Sequence, residues 1–238
     1  MAANVAQEKG YKGIAMEGFV ARRYAKLRST ESQAAVRRQQ AAELTADLPD
    51  GAELLEVAPG PGFFAIELAR LGRFHVTGLD ISRTFVEIAG ENARTENVNA
   101  SFRLGDASRM PFPDGSFDFI VCQAAFKNFA RPGAAIDEMY RVLREGGCAL
   151  IEDMNGNASD AGIREEVDAM RLGRMAAFMT RRILRGLRRR AYTPGEFAHL
   201  AEESRFGGAT ISQAGIGVYV RLAKPGAKHG PAGSESKG

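Results

Sequence analysis

Residues 54–62 read Leu-Leu-Glu-Val-Ala-Pro-Gly-Pro-Gly and run straight into Phe-Phe-Ala-Ile-Glu-Leu-Ala-Arg-Leu-Gly at 63–72. A short apolar run, a turn of glycine and proline, and apolar residues at helical spacing predict a buried strand, a tight bend and a helix. The pattern repeats on the C-terminal side. Strand signals at 53–58, 74–79, 100–104, 117–122 and 148–151 are interleaved with helix signals at 62–71, 84–94 and 133–143. Strands alternating with helices of about ten residues specify βαβ units and a parallel sheet. In such sheets ligands bind at the C-terminal ends of the strands, where the 54–62 turn lies.

The turn selects its ligand. A phosphate cradle needs a row of backbone N–H donors, and Pro59 and Pro61 have none. No Gly-Lys-Ser/Thr follows to hold a nucleotide phosphate with magnesium. Glu56, at the end of its strand, would repel a pyrophosphate but suits a cation. Donors near Gly60, Gly62 and Phe63 suit a small carboxylate, so an amino-acid zwitterion satisfies both. Asp80, 24 residues after Glu56 at the second strand's tip, can accept from ribose hydroxyls. Asp106, at the third tip, can accept from an exocyclic amine such as adenine N6. The ligand has an amino-acid end, a ribose and an adenine, but no phosphate, which describes S-adenosylmethionine.

The ordered segments EVAPGPG (56–62), GLDIS (78–82), GDASRMPFPDGSFDFIV (105–121) and DEMYRVLREGG (137–147) resemble the class I S-adenosylmethionine-dependent methyltransferases. The resemblance covers about 50–153. It implies a Rossmann-like, doubly wound α/β fold with a seven-stranded sheet, helices on both faces and the last strand antiparallel. It implies S-adenosylmethionine as cofactor and S-adenosylhomocysteine as product. By the same resemblance Glu56, Ala58, Gly60 and Gly62 hold the methionine end, and Asp80 and Ile81 the ribose and one adenine face. Asp106 and Ala107 meet the adenine edge, and Gln123 and Ala124 line the sulfonium. The family usually has glycine where this chain has Ala58 and seldom carries both prolines. A Cβ at Ala58 is expected to keep φ negative and to narrow the approach to the methionine moiety.

The loop after the fourth strand, CQAAFKNFARP (122–132), lacks the Asn/Asp-Pro-Pro-Tyr/Phe signature of amino-methylating nucleic-acid enzymes. Its Phe126-Lys127-Asn128-Phe129 run and the N-terminal GFVARRYAK (18–26) are similar to the ubiquinone/menaquinone C-methyltransferases, in which a tyrosine-bearing helix covers the cofactor. That implies Tyr24 near the methionine end. The expected acceptor is a small, apolar or aromatic metabolite. Candidate acceptor-side residues are Phe126, Lys127 and Asn128. Asn128, His199 and Tyr24 are the candidate catalytic groups. His199 also reads as a surface histidine on a 194–203 helix, and Lys127 equally as a solvated loop lysine. No metal is implied, since the two cysteines, Cys122 and Cys148, sit in separate apolar runs with no CxxC or Cys/His cluster.

Composition bounds the rest. At 45% hydrophobic and 26% charged residues, 238 residues make one large globular domain with appendages. The expected division is an N-terminal helical cap at 1–49, a cofactor-binding domain at 50–223 with a helical lid or substrate insertion at 154–203, and a disordered Gly/Pro/Ser tail at 224–238. No signal peptide or 18-residue apolar run is read, and a reducing cytoplasm is the expected compartment. The net charge of +3 conceals eight arginines and no acid at 171–190, so the remainder carries a net −5. That segment reads as a basic amphipathic helix within 160–190. Leu172, Met175, Ala176, Met179, Ile183 and Leu187 are expected on its packed face, and an anionic membrane is a candidate partner. An acidic body argues against a general nucleic-acid binder. An RNA- or protein-directed methyltransferase, a non-catalytic cofactor-binding protein and a homodimer remain the alternatives.

Overall fold

The computed structural model describes residue 12 and residues 16–28 and 31–226. Part of the expected N-terminal cap, and 227–238 of the expected tail, lie outside the described residues. Two helices, α1 (Gly18–Arg28) and α2 (Glu31–Leu44), precede β1 (Glu53–Val57), α3 (Phe63–Arg70), β2 (His75–Asp80), α4 (Arg83–Thr95) and β3 (Ala100–Leu104). Then come β4 (Phe117–Gln123), a 3-10 turn at Phe126–Asn128, α5 (Pro132–Val142) and β5 (Leu143–Met154). α6 (Asp160–Ala169), α7 (Arg174–Arg188), α8 (Pro194–Glu203), β6 (Thr210–Ala214) and β7 (Gly217–Ala223) complete the chain.

The strands form one seven-stranded sheet in the order β3-β2-β1-β4-β5-β7-β6. The first five are parallel, and β7 enters antiparallel between β5 and β6. This is the expected doubly wound α/β sheet with its last strand reversed. Period-2 alternation sends side chains to two cores. Leu55, Ile120, Cys122 and Ile151 pack with Ala135, Ile136 and Met139 of α5 and with Phe197 and Ala201 of α8. On the opposite face Leu54, Val76, Phe119 and Val121 pack with Phe64, Ala65 and Leu68 of α3 and with Ala41 of α2. Both cysteines are buried strand residues, as their apolar context requires.

Two local expectations are corrected. The 160–190 segment is two helices, because Arg171 takes φ 50 and Gly173 caps a new helix start. Met175, Met179 and Ile183, expected to be packed, are exposed. The inward face is instead made by Ala177, Leu184 and Leu187 together with Arg181, Arg185 and Arg188, which pair with Asp168 and Asp160 of α6.

The glycine turn and the strand tips

β1, β2 and β3 lie side by side, with Val57 opposite Leu79 and Asp80 opposite Leu104. Their C-terminal ends therefore place Glu56, Asp80 and Asp106 along one sheet edge. The turn after β1 is held by its own polar contacts. Gly60 N–H donates to Asp80 Oδ2 at 2.9 Å, and Gly62 N–H donates to the Pro59 carbonyl at 3.1 Å. Asn92 Nδ2 of α4 donates to the Pro61 carbonyl at 2.9 Å. These bonds correct one expectation: the Gly60 and Gly62 amides are spent inside the turn and do not wait for a ligand carboxylate. The glycines are needed for shape. Gly62 has φ 78, and a Cβ there would lie 2.7 Å from Ala89 Cβ and 2.8 Å from Phe102 Cζ. Ala58 is the second correction. It takes φ 59, so the bend accepts the strain of a left-handed alanine, and its N–H bonds to the Leu79 carbonyl at 2.7 Å.

Glu56 is buried, and its Oε2 has no hydrogen-bond partner among the described residues. Burial pushes its pKa from the ordinary 4.5 up to about 8, with the Asp80 charge adding to the rise and the Ala65 N–H and Arg37 opposing it. Asp80 is also buried. Burial raises it from 3.8 to about 6, against N–H donors from Ser82, Gly60 and Ile81. The Ser82 N–H donates to Asp80 Oδ1 at 2.8 Å, which leaves each carboxylate oxygen a second lone pair. Ile81, half-buried, sits between them. Asp106 accepts from Ser108 N–H at 2.8 Å and from the exposed Arg131 at 2.9 Å, with Ala107 packed on the core beside it.

The loop after β4 is tied to β5. Gln123 pairs with Glu152 in register, and Gln123 Nε2 and Gln40 Nε2 of α2 both donate to Glu152 Oε2, at 2.8 and 2.7 Å. Ala124 is exposed with φ 54. Lys127 is neither solvated nor open to a substrate: it is buried, with Nζ donating to Asp153 Oδ1 and to the Ala124 carbonyl. Phe126 is fully buried among Phe129, Tyr192 and Phe197, so it backs the loop and cannot touch an acceptor directly. Asn128 is half-buried at the end of the 3-10 turn. Tyr24 packs edge-on against Phe85 of α4 with ring centroids 5.9 Å apart, and Arg28 sits over its ring. His199 is not brought to this edge. Phe197 of α8 points into the core, whereas His199, two residues on, is 69% exposed and faces Glu203.

Three groups escaped the sequence reading. Arg37 of α2 lies over the Phe63 ring at 5.0 Å, within charge range of Glu56, and its Nε is buried without a partner among the described residues. Glu17 caps α4 by accepting from the N–H groups of Arg83 and Thr84, at 3.0 and 3.1 Å. Asp153 is the buried counter-charge of Lys127. Only Asp153 left a signal, as an acid at a strand tip in an apolar run.

The fold is matched among known proteins. The profile described as a methyltransferase domain matches residues 55–151. A ubiquinone/menaquinone biosynthesis C-methyltransferase UbiE of Methylobacterium nodulans is 32% identical over 205 residues, covering 80% of this chain and 81% of that protein. A demethylmenaquinone methyltransferase of Deinococcus radiodurans is 37% identical over 157 residues. The chain spans 64% of that relative's length, and 45% of a Thermus thermophilus demethylmenaquinone methyltransferase. A SAM-dependent methyltransferase structure from Aquifex aeolicus superposes with a TM-score of 0.62 at 19% identity, covering 86% of this chain and all of that one. The plantazolicin methyltransferase BpumL, solved with SAH, gives 0.63 at 14%, covering 86% and 89%. The chain belongs to the class I S-adenosylmethionine-dependent methyltransferase family. Within that family it stands close to the UbiE-like group.

Proposed function

We propose that this protein transfers a methyl group from S-adenosylmethionine to a ring carbon of a small aromatic, quinone-like acceptor. The observation that carries the cofactor reading is the buried Glu56 Oε2, without a hydrogen-bond partner among the described residues, together with Arg37, which lies within charge range of Glu56 and whose buried Nε also lacks one. An unpaired buried carboxylate is costly, and an ammonium group would relieve it. Arg37 supplies the carboxylate contact that the Gly60 and Gly62 amides cannot. The two side chains are thus the complement of an amino-acid zwitterion, so the residues present fit the cofactor.

The other roles follow the strand order. Asp80 uses its free lone pairs for the ribose hydroxyls, beside Ile81. Asp106 and Ala107 face the adenine edge, and Asp106 exchanges its exposed Arg131 contact for the amine. When bound, the cofactor supplies a methyl group already activated by its sulfonium. The chain's task is then to aim an acceptor atom in line at about 3–3.5 Å and to exclude water. Gln123 and Ala124 stand at the tip of β4, where the acceptor has to approach. The Lys127–Asp153 pair fixes the loop that carries Asn128, and Asn128 orients the acceptor through hydrogen bonding. Of the three catalytic candidates, Asn128 alone stands on that loop; Tyr24 covers the cofactor from α1. The names of the UbiE-like relatives support the quinone-like acceptor.

Calorimetry with S-adenosylhomocysteine tests the cofactor, and release of S-adenosylhomocysteine with a short-chain naphthoquinol as acceptor tests the transfer. Binding of ATP or NADH with S-adenosylhomocysteine ignored overturns the first. Turnover with amine or carboxylate acceptors but not the quinol overturns the second.

A further inference from the structure

α7 is an amphipathic helix turned inside out. Three of its arginines face the protein: Arg181 pairs with Asp168 at 3.0 Å, and Arg185 and Arg188 pair with Asp160 at 3.4 and 2.9 Å. Ala177, Leu184 and Leu187 pack between them. The opposite face, at i, i+3, i+4 and i+8, is Met175, Phe178, Met179 and Ile183, which are 75, 54, 50 and 58% exposed. Leu172 and Met170, just before the helix, are exposed as well. Scattered exposed apolar residues need no explanation, but a contiguous stripe along one helix face does.

Charge identifies the occupant. Arg171, Arg174, Arg182, Arg189 and Arg190 are exposed on or beside this stripe and make no ion pair among the described residues. α7 holds no acid. A second copy of the chain meeting face to face would set these arginines against each other, so a self-interface is disfavoured. An anionic bilayer offers both complements, acyl chains for the stripe and phosphates for the arginines. No described helix is long and apolar enough to cross a membrane, and the 15 residues of α7 suit the interface plane instead.

We propose that α7 docks the protein on an anionic lipid surface. Met175, Phe178, Met179 and Ile183 enter the headgroup–acyl boundary, and the five unpaired arginines hold lipid phosphates. α6 and α7 follow β5 at the sheet edge that carries the carboxylates, so a lipid-dissolved acceptor would leave the bilayer beside the site. That last consequence rests on the proposed function; the docking itself does not.

Co-sedimentation of the full chain with phosphatidylcholine vesicles, with and without about one-third phosphatidylglycerol, tests the proposal. Anionic lipid should raise the bound fraction by about tenfold. Phe178→Glu/Ile183→Glu should return it to the phosphatidylcholine level, and Arg182→Glu/Arg189→Glu should weaken it by about tenfold. Equal sedimentation with both vesicle types, or wild-type binding by Phe178→Glu/Ile183→Glu, overturns the proposal. So does a dimer in sedimentation velocity that this variant disperses without any vesicle binding. Circular dichroism and calorimetry with S-adenosylhomocysteine on the same variants report the fold and the cofactor site separately, so loss of docking is not confused with loss of the active site.

Discussion

Lys127 Nζ lies 2.7 Å from Asp153 Oδ1, and the two side chains are only 5% and 1% exposed. The carboxylate accepts three hydrogen bonds within the protein: Oδ1 also takes the Met154 N–H, and Oδ2 takes the Lys127 N–H. One buried pair therefore fixes the loop after β4 to the end of β5.

Lys127→Met should cost about 3–5 kcal/mol, because it strands a buried carboxylate. Lys127→Met/Asp153→Leu should recover part of that loss but not all, since two backbone N–H donors lose their acceptor. Urea unfolding of the three proteins measures both effects. Wild-type stability in Lys127→Met would show that the pair does not hold the loop.

Asp80→Ala should weaken S-adenosylhomocysteine binding by roughly 1.5–3 kcal/mol for each ribose bond lost. It also frees the Gly60 amide, so the turn loosens together with the ligand contact. Calorimetry reads the affinity, and a variant binding like the wild type would move the ribose site elsewhere.

Folded Glu56 and Asp80 keep protons that the unfolded chain has already released, between 4.5 and about 8 and between 3.8 and about 6. The folded state binds more protons in those windows, so their contribution to stability falls as pH rises from about 4 to about 8. Glu56→Gln should therefore be more stable than wild type at pH 8 by about 1–3 kcal/mol in thermal or urea unfolding. Cofactor binding runs the other way. A ligand ammonium requires ionised Glu56, so wild-type affinity should climb toward pH 8 with proton release. Titrations in buffers of different ionisation enthalpy detect that proton, and Glu56→Gln should release none.

Gly62→Val should destabilise by about 2–4 kcal/mol, from a left-handed φ and overlap with Ala89 and Phe102. Ala58→Gly should gain about 0.5 kcal/mol, as relief of left-handed strain outweighs the added freedom of the unfolded chain. Denaturant midpoints rank the two against wild type.

The sheet was legible because it rests on local signals. Apolar runs of strand length, the bend at 58–62 and helical spacing after it need no distant partner. Glu56, Asp80 and Asp106 were legible for the same reason, each standing at or just past the C-terminal end of a strand. What stayed hidden depends on contacts far along the chain. Helical periodicity says that α7 has two faces, but Asp160 and Asp168 on α6 decide which one turns inward. Arg37 sits in a helix of weak pattern and acquires meaning only when α2 packs beside the Glu56 turn. The Gly60 amide could not be known to be engaged until Asp80 was placed 2.9 Å away. Phe126 and Lys127 looked like acceptor contacts because loop position says nothing of depth.

β7 slots between β5 and β6, yet among the described strands it is the last made. On the ribosome, β5 must wait with one flank bare until residues 217–223 emerge, and β6 has no neighbour before then. A message cut short ahead of Gly217 would thus yield a half-finished platform with an open, sticky rim, the kind of product that chaperones retain and proteases clear.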